Sequence, residues 1–387
     1  MRVLIAPDKF KGTLTAAAAA HAIARGWQKI RPQDQLTLHP ISDGGDGFGA
    51  VMSAALHAKP RRLSTLNAAH QRVTATWWWQ SQTRTAIIES ANIIGLAMLP
   101  SQQFHPFQLD TYGLGAAIQT AQQHGARQII LGIGGSATND GGFGLARALG
   151  WKFFDPAKVE IQSWPKLIGL KTVQPPSGGR THGQLIVAVD VNNPLLGRHG
   201  ATRIYGPQKG LLTKDFAPAE RALRRLAQVM TRQFASDFAA QPGAGAAGGL
   251  GFGLATFARA QLVPGFDLLA RETGLLRKLL KADLVITAEG AMDRSTLMGK
   301  GAGQVALLAR RKNLPVIGLA GVLHDSRALG KLFTRTHALV ELTPAAAAQR
   351  RAAHWLTRLS ARTAASWEAV NPQWKVGKSA RTARMTS

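Results

Sequence analysis

The chain of 387 residues contains no cysteine. This absence excludes disulfide bonds, thiolate metal sites and a cysteine nucleophile. Acidic residues are also scarce, because 21 Asp and Glu stand against 47 Lys and Arg, for a formal net charge of +26. No apolar run reaches the roughly 18 residues needed to cross a bilayer, and the apolar N-terminal stretch is short and broken by Pro7. We therefore expect a cytoplasmic protein without a membrane partner.

The excess of positive charge raises the alternative of a basic nucleic-acid-binding protein. Lys and Arg are, however, spread along the whole sequence, and the lack of cysteine excludes a zinc finger. No aromatic RNA-binding signature is present. Nucleic acid is therefore not expected as the main partner, although the alternative stays open at this point.

Several short apolar runs end in Gly or an acidic residue, a pattern typical of buried parallel strands. These runs are residues 3–6, 128–133, 184–189, 283–287 and 315–320. Helical patterns lie between them at residues 13–30, with Thr13 or Thr15 as the N-cap, and at 112–124, 217–238 and 301–311. Strands that alternate with helices predict an α/β protein with a largely parallel sheet.

One section departs from this alternation. Residues 73–79 and 83–88 alternate apolar and polar side chains around a polar turn, which predicts an antiparallel hairpin. The run Trp77-Trp78-Trp79 lies in its first strand, and we expect these rings to pack against a helix rather than to stack on bases. Beyond Pro344 the sequence predicts one last helix and a frayed basic tail.

The few acidic residues fall at informative places. Seven of the 21 lie in Gly-rich or loop-like blocks, namely Asp8, Asp43, Asp46, Asp140, Asp190, Glu289 and Asp293. In open α/β sheets, ligands bind at the carboxyl ends of the strands, where Asp8, Asp140, Asp190 and Glu289 are predicted to lie. Crowded carboxylates there indicate a divalent cation or a proton to be removed from a substrate.

The blocks around these acids contain further candidate groups. Lys9 and Lys11 precede the first predicted helix, whose N-terminus suits an anion. The segments 132–142 and 206–210 offer backbone N–H groups, hydroxyls and Lys209 for a phosphate. An Asp in a Gly-rich turn is usually only part of an Asx-turn, but six such blocks on one α/β framework indicate a ligand site.

Two nucleotide-binding motifs give a mixed result. The Walker A spacing is absent. The pattern G-x-G-x-x-G/A occurs at Gly132, Gly134 and Ala137, which leaves an NAD-dependent oxidoreductase as a second alternative. The same pattern occurs again at residues 243–248, where no strand is predicted before it, so the match has little specificity.

Taken in order, the blocks resemble the bacterial glycerate kinase family. The matching segments are residues 6–15, 42–47, 134–142, 190–194 with 206–210, 242–253 and 289–300, and together they cover the chain to about residue 325. The resemblance implies two α/β domains, one inserted into the other, with the active site in the interdomain cleft. We place the first domain at residues 1–60 and 265–387, and the inserted domain at 61–264.

The resemblance also implies an ATP-dependent kinase that phosphorylates glycerate, with Mg²⁺ as cofactor and the 2-hydroxyl as the favoured acceptor. We expect Asp190, Asp293 and Lys9 to be catalytic, and Asp140 and Asp190 to bind the metal. Substrate or nucleotide would be bound by Asp8, Lys11, Asp43, Asp46, Gly134, Gly135, Ser136, Thr138, Asn139, Asn193, Lys209, Glu289 and Lys300.

Overall fold

A computed structural model of the chain describes residues 1–101, 103–177, 183–298 and 301–367. Lys300 and the predicted basic tail lie outside the described residues. Among the described residues, none of the helices has the length and apolar character needed to span a bilayer.

The strands are short and mostly buried. In chain order they are β1 (Arg2–Ile5), β2 (Gln35–Leu38), β3 (Lys59–Leu66), β4 (Arg72–Gln80), β5 (Thr85–Glu89), β6 (Gln128–Gly132), β7 (Lys152–Phe154), β8 (Thr172–Gln174), β9 (Gln184–Val189), β10 (Gln261–Pro264), β11 (Leu284–Met292), β12 (Val316–Leu323) and β13 (Arg335–Ala338).

The α-helices are α1 (Ala16–Ile30), α2 (Phe48–Ala55), α3 (Ala91–Ile94), α4 (Tyr112–Gln123), α5 (Phe143–Ala148), α6 (Ala201–Tyr205), α7 (Thr213–Phe234), α8 (Ala246–Ala258), α9 (Gly265–Glu272), α10 (Leu275–Lys281), α11 (Arg294–Leu297), α12 (Ala302–Arg311), α13 (Ser326–Leu329), α14 (Ala345–Arg350) and α15 (Ala352–Trp367). Short 3-10 helices lie at Leu96–Met98, Pro106–Gln108, Trp164–Gly169, Pro207–Lys209 and Leu339–Glu341.

The described residues form two compact units. Unit 1 consists of Met1–Ile41 and the described residues from Gly274 onward, and unit 2 consists of Ser42–Thr273. The segment of unit 2 therefore lies between the two segments of unit 1 in the sequence. The domain assignment made from the sequence, with boundaries after residues 60 and 264, stays a prediction.

Unit 1 contains a parallel sheet in the order β13-β12-β11-β1-β2. The chain leaves β1 toward β2 on one side, whereas β11 pairs with β1 on the other side. A reversal of strand order of this kind opens a crevice at the carboxyl ends of the two strands. Asp8 follows β1 and Glu289 lies on β11, so both acids are placed at this point.

Helix α1 shows how the sequence builds unit 1. Thr15 is its N-cap, since its Oγ1 accepts a hydrogen bond from the backbone N–H of Ala18 at 3.1 Å. The apolar stripe of the helix, which includes Ile23 and Trp27, is buried in one core with Leu356 and Leu359 of α15.

Unit 2 contains a mixed sheet in the order β10-β9-β6-β5-β4-β3, with a separate β7-β8 hairpin. Strands β10, β9, β6 and β5 are parallel, whereas β4 and β3 continue the sheet as antiparallel strands. The rings of Trp77 and Trp79 contact His124 at the end of α4, and Trp78 lies against Gly49 of α2. The indole rings therefore serve packing on both faces of the strand, as predicted.

The α/β fold class with largely parallel sheets is confirmed, as are the parallel strands and the 73–88 hairpin. Two helices differ from the sequence prediction. Helix α7 begins at Thr213 rather than 217, because the Asp215 carboxylate accepts a hydrogen bond from the Leu212 N–H at 2.9 Å and closes its first turn. The last predicted helix is two helices, since the backbone leaves helical geometry at Arg351.

Candidate active site

Two glycine-rich segments of unit 2 lie against each other at the carboxyl end of β6. The N–H of Gly134 donates to the carbonyl of Gly44 at 3.4 Å. A Cβ on Gly134 would come within 2.6 Å of the Gly45 Cα, so only glycine permits this approach. Gly135 has φ +76 and its Cα faces the carboxylate of Asp46. The predicted residues Asp46, Gly134 and Gly135 are therefore brought together.

Lys209 anchors the segment that follows. Its side chain is only 6 % exposed, and Nζ donates to the Thr138 carbonyl at 2.6 Å and to Ser136 Oγ at 3.1 Å. Ser136 Oγ in turn donates to the carbonyl of Ala247 at 3.0 Å. Burial lowers the pKa of Lys209 to about 7, against the opposing charge of Asp140. We call Gly134, Gly135, Ser136, Thr138, Asn139 and Lys209 the glycine-loop cluster.

Two atoms of the glycine-loop cluster are buried without a partner among the described residues. They are Thr138 Oγ1 and Asn139 Oδ1. The amide nitrogen of Asn139 is used, because it donates to Thr202 Oγ1 at 3.1 Å. A buried polar atom without a hydrogen bond is costly, so this loop retains capacity for a polar ligand or water.

Asp140 has a structural role that the sequence did not indicate. Its carboxylate is fully buried and accepts from the backbone N–H groups of Thr111, Gly142 and Gly144 and from Thr111 Oγ1, at 2.8 to 3.2 Å. Burial, with a smaller contribution from the charge of Asp110, raises its pKa to about 6. Both oxygens are occupied, so the metal-ligand role predicted for Asp140 gains no support from this geometry.

Asp190 and Asn193 both follow β9, and they lie in different surroundings. Asp190 is exposed, and its charge adds to burial in raising the pKa of Tyr205 to about 12. Asn193 is committed to the loop, because Oδ1 accepts from Tyr205 OH at 2.7 Å and Nδ2 donates to the His199 carbonyl at 2.8 Å. Asn193 therefore shapes the loop that carries Asp190.

Asp43 and Glu89 hold the segment before α2. Asp43 Oδ1 accepts from the Gly45 N–H at 3.1 Å, which is an Asx-turn. Glu89 accepts from the N–H groups of Gly47 at 2.5 Å and Gly49 at 3.0 Å, and so caps α2. The sequence prediction missed Glu89, although it ends an apolar strand in the same way as the acids that were selected.

The carboxylates of unit 1 meet at the strand reversal between β1 and β11. Asp8 is 8 % exposed, and its Oδ1 accepts from the Lys9 N–H at 2.7 Å. Glu289 Oε1 accepts from Thr296 Oγ1 at 2.6 Å. A Cβ on Gly301 would lie 2.8 Å from Asp8 Oδ2 and 3.3 Å from Glu289 Oε2, so both acids face the start of α12. We call Asp8, Glu289, Thr296 and Gly301 the carboxylate cluster.

Lys9 and Lys11 lie on a tight turn just before α1. The turn is closed by hydrogen bonds between Phe10 and Leu14, whose N–H and carbonyl groups pair at 2.9 and 3.0 Å. Lys9 is half-buried and Lys11 is exposed. This arrangement places two cations near the N-terminus of a 15-residue helix, a position that suits an anion.

Asp293 is the N-cap of α11. Its Oδ1 accepts from Ser295 Oγ at 2.6 Å and from the Ser295 N–H at 2.7 Å. These two hydrogen bonds hold the pKa of Asp293 below its usual value. A lowered pKa makes a carboxylate a weaker base, and the catalytic role of Asp293 stays a prediction.

Comparison with known proteins decides the family. The glycerate kinase family model matches residues 3–368. This chain belongs to the glycerate kinase family. It is 38% identical over 328 residues to glycerate 2-kinase from Escherichia coli (strain K12), covering 84% of this chain and 86% of that protein. Glycerate kinase from Halalkalibacterium halodurans is 37% identical over 327 residues, or 83% and 85% of the two chains.

A solved structure agrees with this assignment. A crystal structure from Salmonella typhimurium LT2, whose protein is assigned as glycerate kinase 2, superposes with a TM-score of 0.82 at 34% identity and covers 95% of this chain and 98% of its own. The family predicted from the sequence is confirmed. The predicted enzyme class, an ATP-dependent kinase that acts on glycerate, is confirmed as well. The nucleic-acid-binding and NAD-dependent alternatives gain no support as the main function.

Proposed function

We propose that this glycerate kinase transfers the γ-phosphoryl group of ATP to the 2-hydroxyl of glycerate, giving 2-phosphoglycerate and ADP. The family match supports the reaction class, and the relative named glycerate 2-kinase supports the acceptor position. The glycine-loop cluster is the single structural observation that carries the assignment, because it combines the exposed Gly135, buried polar atoms with unused hydrogen-bonding capacity and the buried Lys209 beyond the end of a parallel strand.

Unit 2 supplies the phosphate-binding or substrate-binding backbone in this proposal. Gly134 and Gly135 let this loop lie against residues 44–46, and Lys209 fixes Ser136 and the Thr138 carbonyl. Thr138 Oγ1 and Asn139 Oδ1 retain unused hydrogen-bonding capacity. Phosphoryl transfer depends mainly on positioning and charge stabilisation, which a rigid polar loop provides.

Unit 1 supplies a second set of polar groups at its own strand ends. Lys9 and Lys11, with the N-terminus of α1, suit an anionic group such as a phosphate or the glycerate carboxylate. Asp8 and Glu289 face the start of α12, where they can accept hydrogen bonds from substrate hydroxyls. We propose that Asp8 and Glu289 act on a reactant in addition to holding their own loops.

Mg²⁺ is the cofactor that we propose for the reaction. The described residues contain no group of three or more His, Cys, Asp or Glu side chains that could hold a metal ion. Mg²⁺ fits this donor set, because it binds through one or two carboxylates together with substrate phosphates. We assign its protein ligand to the exposed carboxylate of Asp190. Bound there, the ion would neutralise charge on the phosphates during transfer.

The test is a coupled assay of ADP release with and without glycerate. ADP formation should require glycerate, and Asp190→Asn should lower turnover roughly a hundredfold or more, as expected when a main electrostatic group is lost. Asp237→Asn, at an exposed position of the same unit, is the matched control and should keep normal turnover. Near-normal turnover of the Asp190 variant would remove this residue from the mechanism. The cytoplasmic location stays a prediction.

A further inference from the structure

Two segments of the chain are basic and contain no carboxylate at all. Residues 9–33 and 342–367 hold no Asp or Glu. They include the helices α1, α14 and α15. The exposed cations on and between these helices are Arg25, Lys29, Arg350, Arg351, Arg358 and Arg362. We call these six residues the basic face.

The fold brings the two segments together although more than 300 positions separate them in the sequence. Ser360 Oγ donates to the Ile23 carbonyl at 2.7 Å, and Thr357 Oγ1 donates to the Ala22 carbonyl at 3.1 Å. Gly26 lies at this crossing, where a Cβ would come within 2.8 Å of the Ser360 Cβ. Arg25 and Lys29 therefore lie within about one turn of the crossing on α1, and Arg358 and Arg362 do so on α15.

Most of these cations are not neutralised within the described part of the chain. Arg362 faces Glu341 at 3.8 Å, and Arg358 stacks on the Trp355 ring at 5.1 Å. Arg25, Lys29, Arg350 and Arg351 have no carboxylate partner among the described residues. Such a concentration of unpaired charge produces a positive potential that attracts polyanions.

We propose that the basic face binds the phosphate backbone of duplex nucleic acid without sequence preference, as a second activity beside phosphoryl transfer. Five of the six cations are arginines, whose planar guanidinium groups match phosphate oxygens in pairs. Arg351, just before α15, and Arg362 are 11 residues apart, or roughly 17 Å along the helix, a length that several phosphates of one groove edge occupy.

Other polyanionic partners fit the face less well. A membrane-surface helix needs an apolar stripe to insert, but Ile23, Trp27, Leu356 and Leu359 are buried in the core of unit 1. Single-stranded nucleic acid binds by stacking its bases on aromatic side chains. The Trp355 ring is already covered by the Arg358 guanidinium group, so it is not available for a base. The spread of the cations along the sequence argues against nucleic acid, but the fold packs α1 against α15, and these two helices carry four of the six.

The experiment measures the binding of full-length protein to a fluorescent DNA duplex of about 20 base pairs, by anisotropy, between about 50 and 200 mM salt. The triple variant Arg25→Gln, Lys29→Gln, Arg358→Gln should bind at least tenfold more weakly at low salt. The slope of log K against log salt should fall by about 0.9 for each phosphate that the variant no longer neutralises. Glycerate phosphorylation should be unchanged, which separates this test from that of the proposed function.

The matched control removes three charges from another exposed surface. Lys214, Arg221 and Arg232 lie on the exposed side of α7 in unit 2, and their replacement by Gln should change DNA affinity less than twofold. The proposal is overturned if both triple variants weaken binding equally, if the wild type does not bind the duplex, or if phosphatidylserine vesicles bind the protein while the duplex does not.

Discussion

Lys209 is the residue whose environment departs furthest from what its type suggests. From the sequence, a lysine beside glycines and hydroxyls is expected to contact a phosphate group of the ligand directly. In the structure its ammonium group donates inward, to Ser136 Oγ and the Thr138 carbonyl. Lys209 is therefore better described as a positioning residue of the loop that we propose as the ligand-binding loop.

Replacement of Lys209 tests this role. Lys209→Met keeps the aliphatic stem but leaves Ser136 and the Thr138 carbonyl without their donor. We expect KM for ATP or glycerate to rise tenfold or more with a smaller change in kcat, as measured by steady-state kinetics. Lys166→Met, at an exposed lysine of the same unit, is the control and should be neutral. A variant that changes kcat alone would contradict a positioning role.

The same residue gives a stability prediction with a defined sign. The pKa of Lys209 is lowered from 10.5 to about 7, so between these values the unfolded chain binds a proton that the native protein lacks. The free energy of unfolding contributed by this group must therefore rise with pH across that window. Denaturant titrations at several pH values should show this rise in the wild type and its loss in Lys209→Met; identical profiles would refute the shift.

Asp140 has a role in the fold that the sequence did not indicate, since its carboxylate accepts four hydrogen bonds. Asp140→Asn should lower the free energy of unfolding by about 1 to 3 kcal/mol, because one oxygen that accepts backbone N–H groups becomes a donor. The raised pKa of Asp140, about 6, also makes the free energy of unfolding depend on pH. The native state holds this proton more tightly than the unfolded chain, so the Asp140 contribution falls as pH rises from about 4 to 6.

The measurement compares urea unfolding of wild type and Asp140→Asn across that pH range. The difference between the two proteins isolates Asp140 from other carboxylates, and Asp237→Asn should match the wild type. A variant as stable as the wild type at every pH would mean that the four hydrogen bonds of Asp140 have little net value.

The sequence predicted most of the strands and helices that hold the glycine-loop cluster and the carboxylate cluster. Apolar runs predicted five parallel strands, and the sequence offered Thr13 or Thr15 as the N-cap of α1, of which Thr15 is the one observed. What failed depends on contacts between distant residues. The Glu89 cap on Gly47 and Gly49 joins positions about 40 apart, and no local pattern encodes such a pair. Lys300 and the basic tail lie outside the described residues.

The contact between helices α1 and α15 gives a testable prediction about helix packing. Gly26→Ala should lower the free energy of unfolding by about 1 to 3 kcal/mol, because its methyl group would meet the Thr357 carbonyl and the Ser360 side chain. Gly169→Ala is the control, since a Cβ at that position has no atom within 4 Å among the described residues. Chemical denaturation measures both, and equal stabilities would show that the helices can move apart without cost.

In the molecule as a whole, the six sequence blocks are distributed over two separate sheets. Asp8, Lys9 and Glu289 belong to unit 1, whereas Ser136 and Lys209 belong to unit 2. Each group lies at the carboxyl ends of parallel strands, as the sequence predicted for an α/β protein. The order of strands within each sheet was not predictable, because pairing is decided by contacts over long sequence separations.

The function that we propose for the whole molecule is one reaction, the phosphorylation of glycerate at its 2-hydroxyl by ATP. Phosphorus NMR of a mixture of enzyme, ATP, Mg²⁺ and glycerate reads this reaction out, since the two phosphoglycerate isomers give separate signals. We expect 2-phosphoglycerate and ADP in equal amounts and no product without glycerate. Formation of 3-phosphoglycerate, or release of ADP that does not depend on glycerate, would contradict the proposed function.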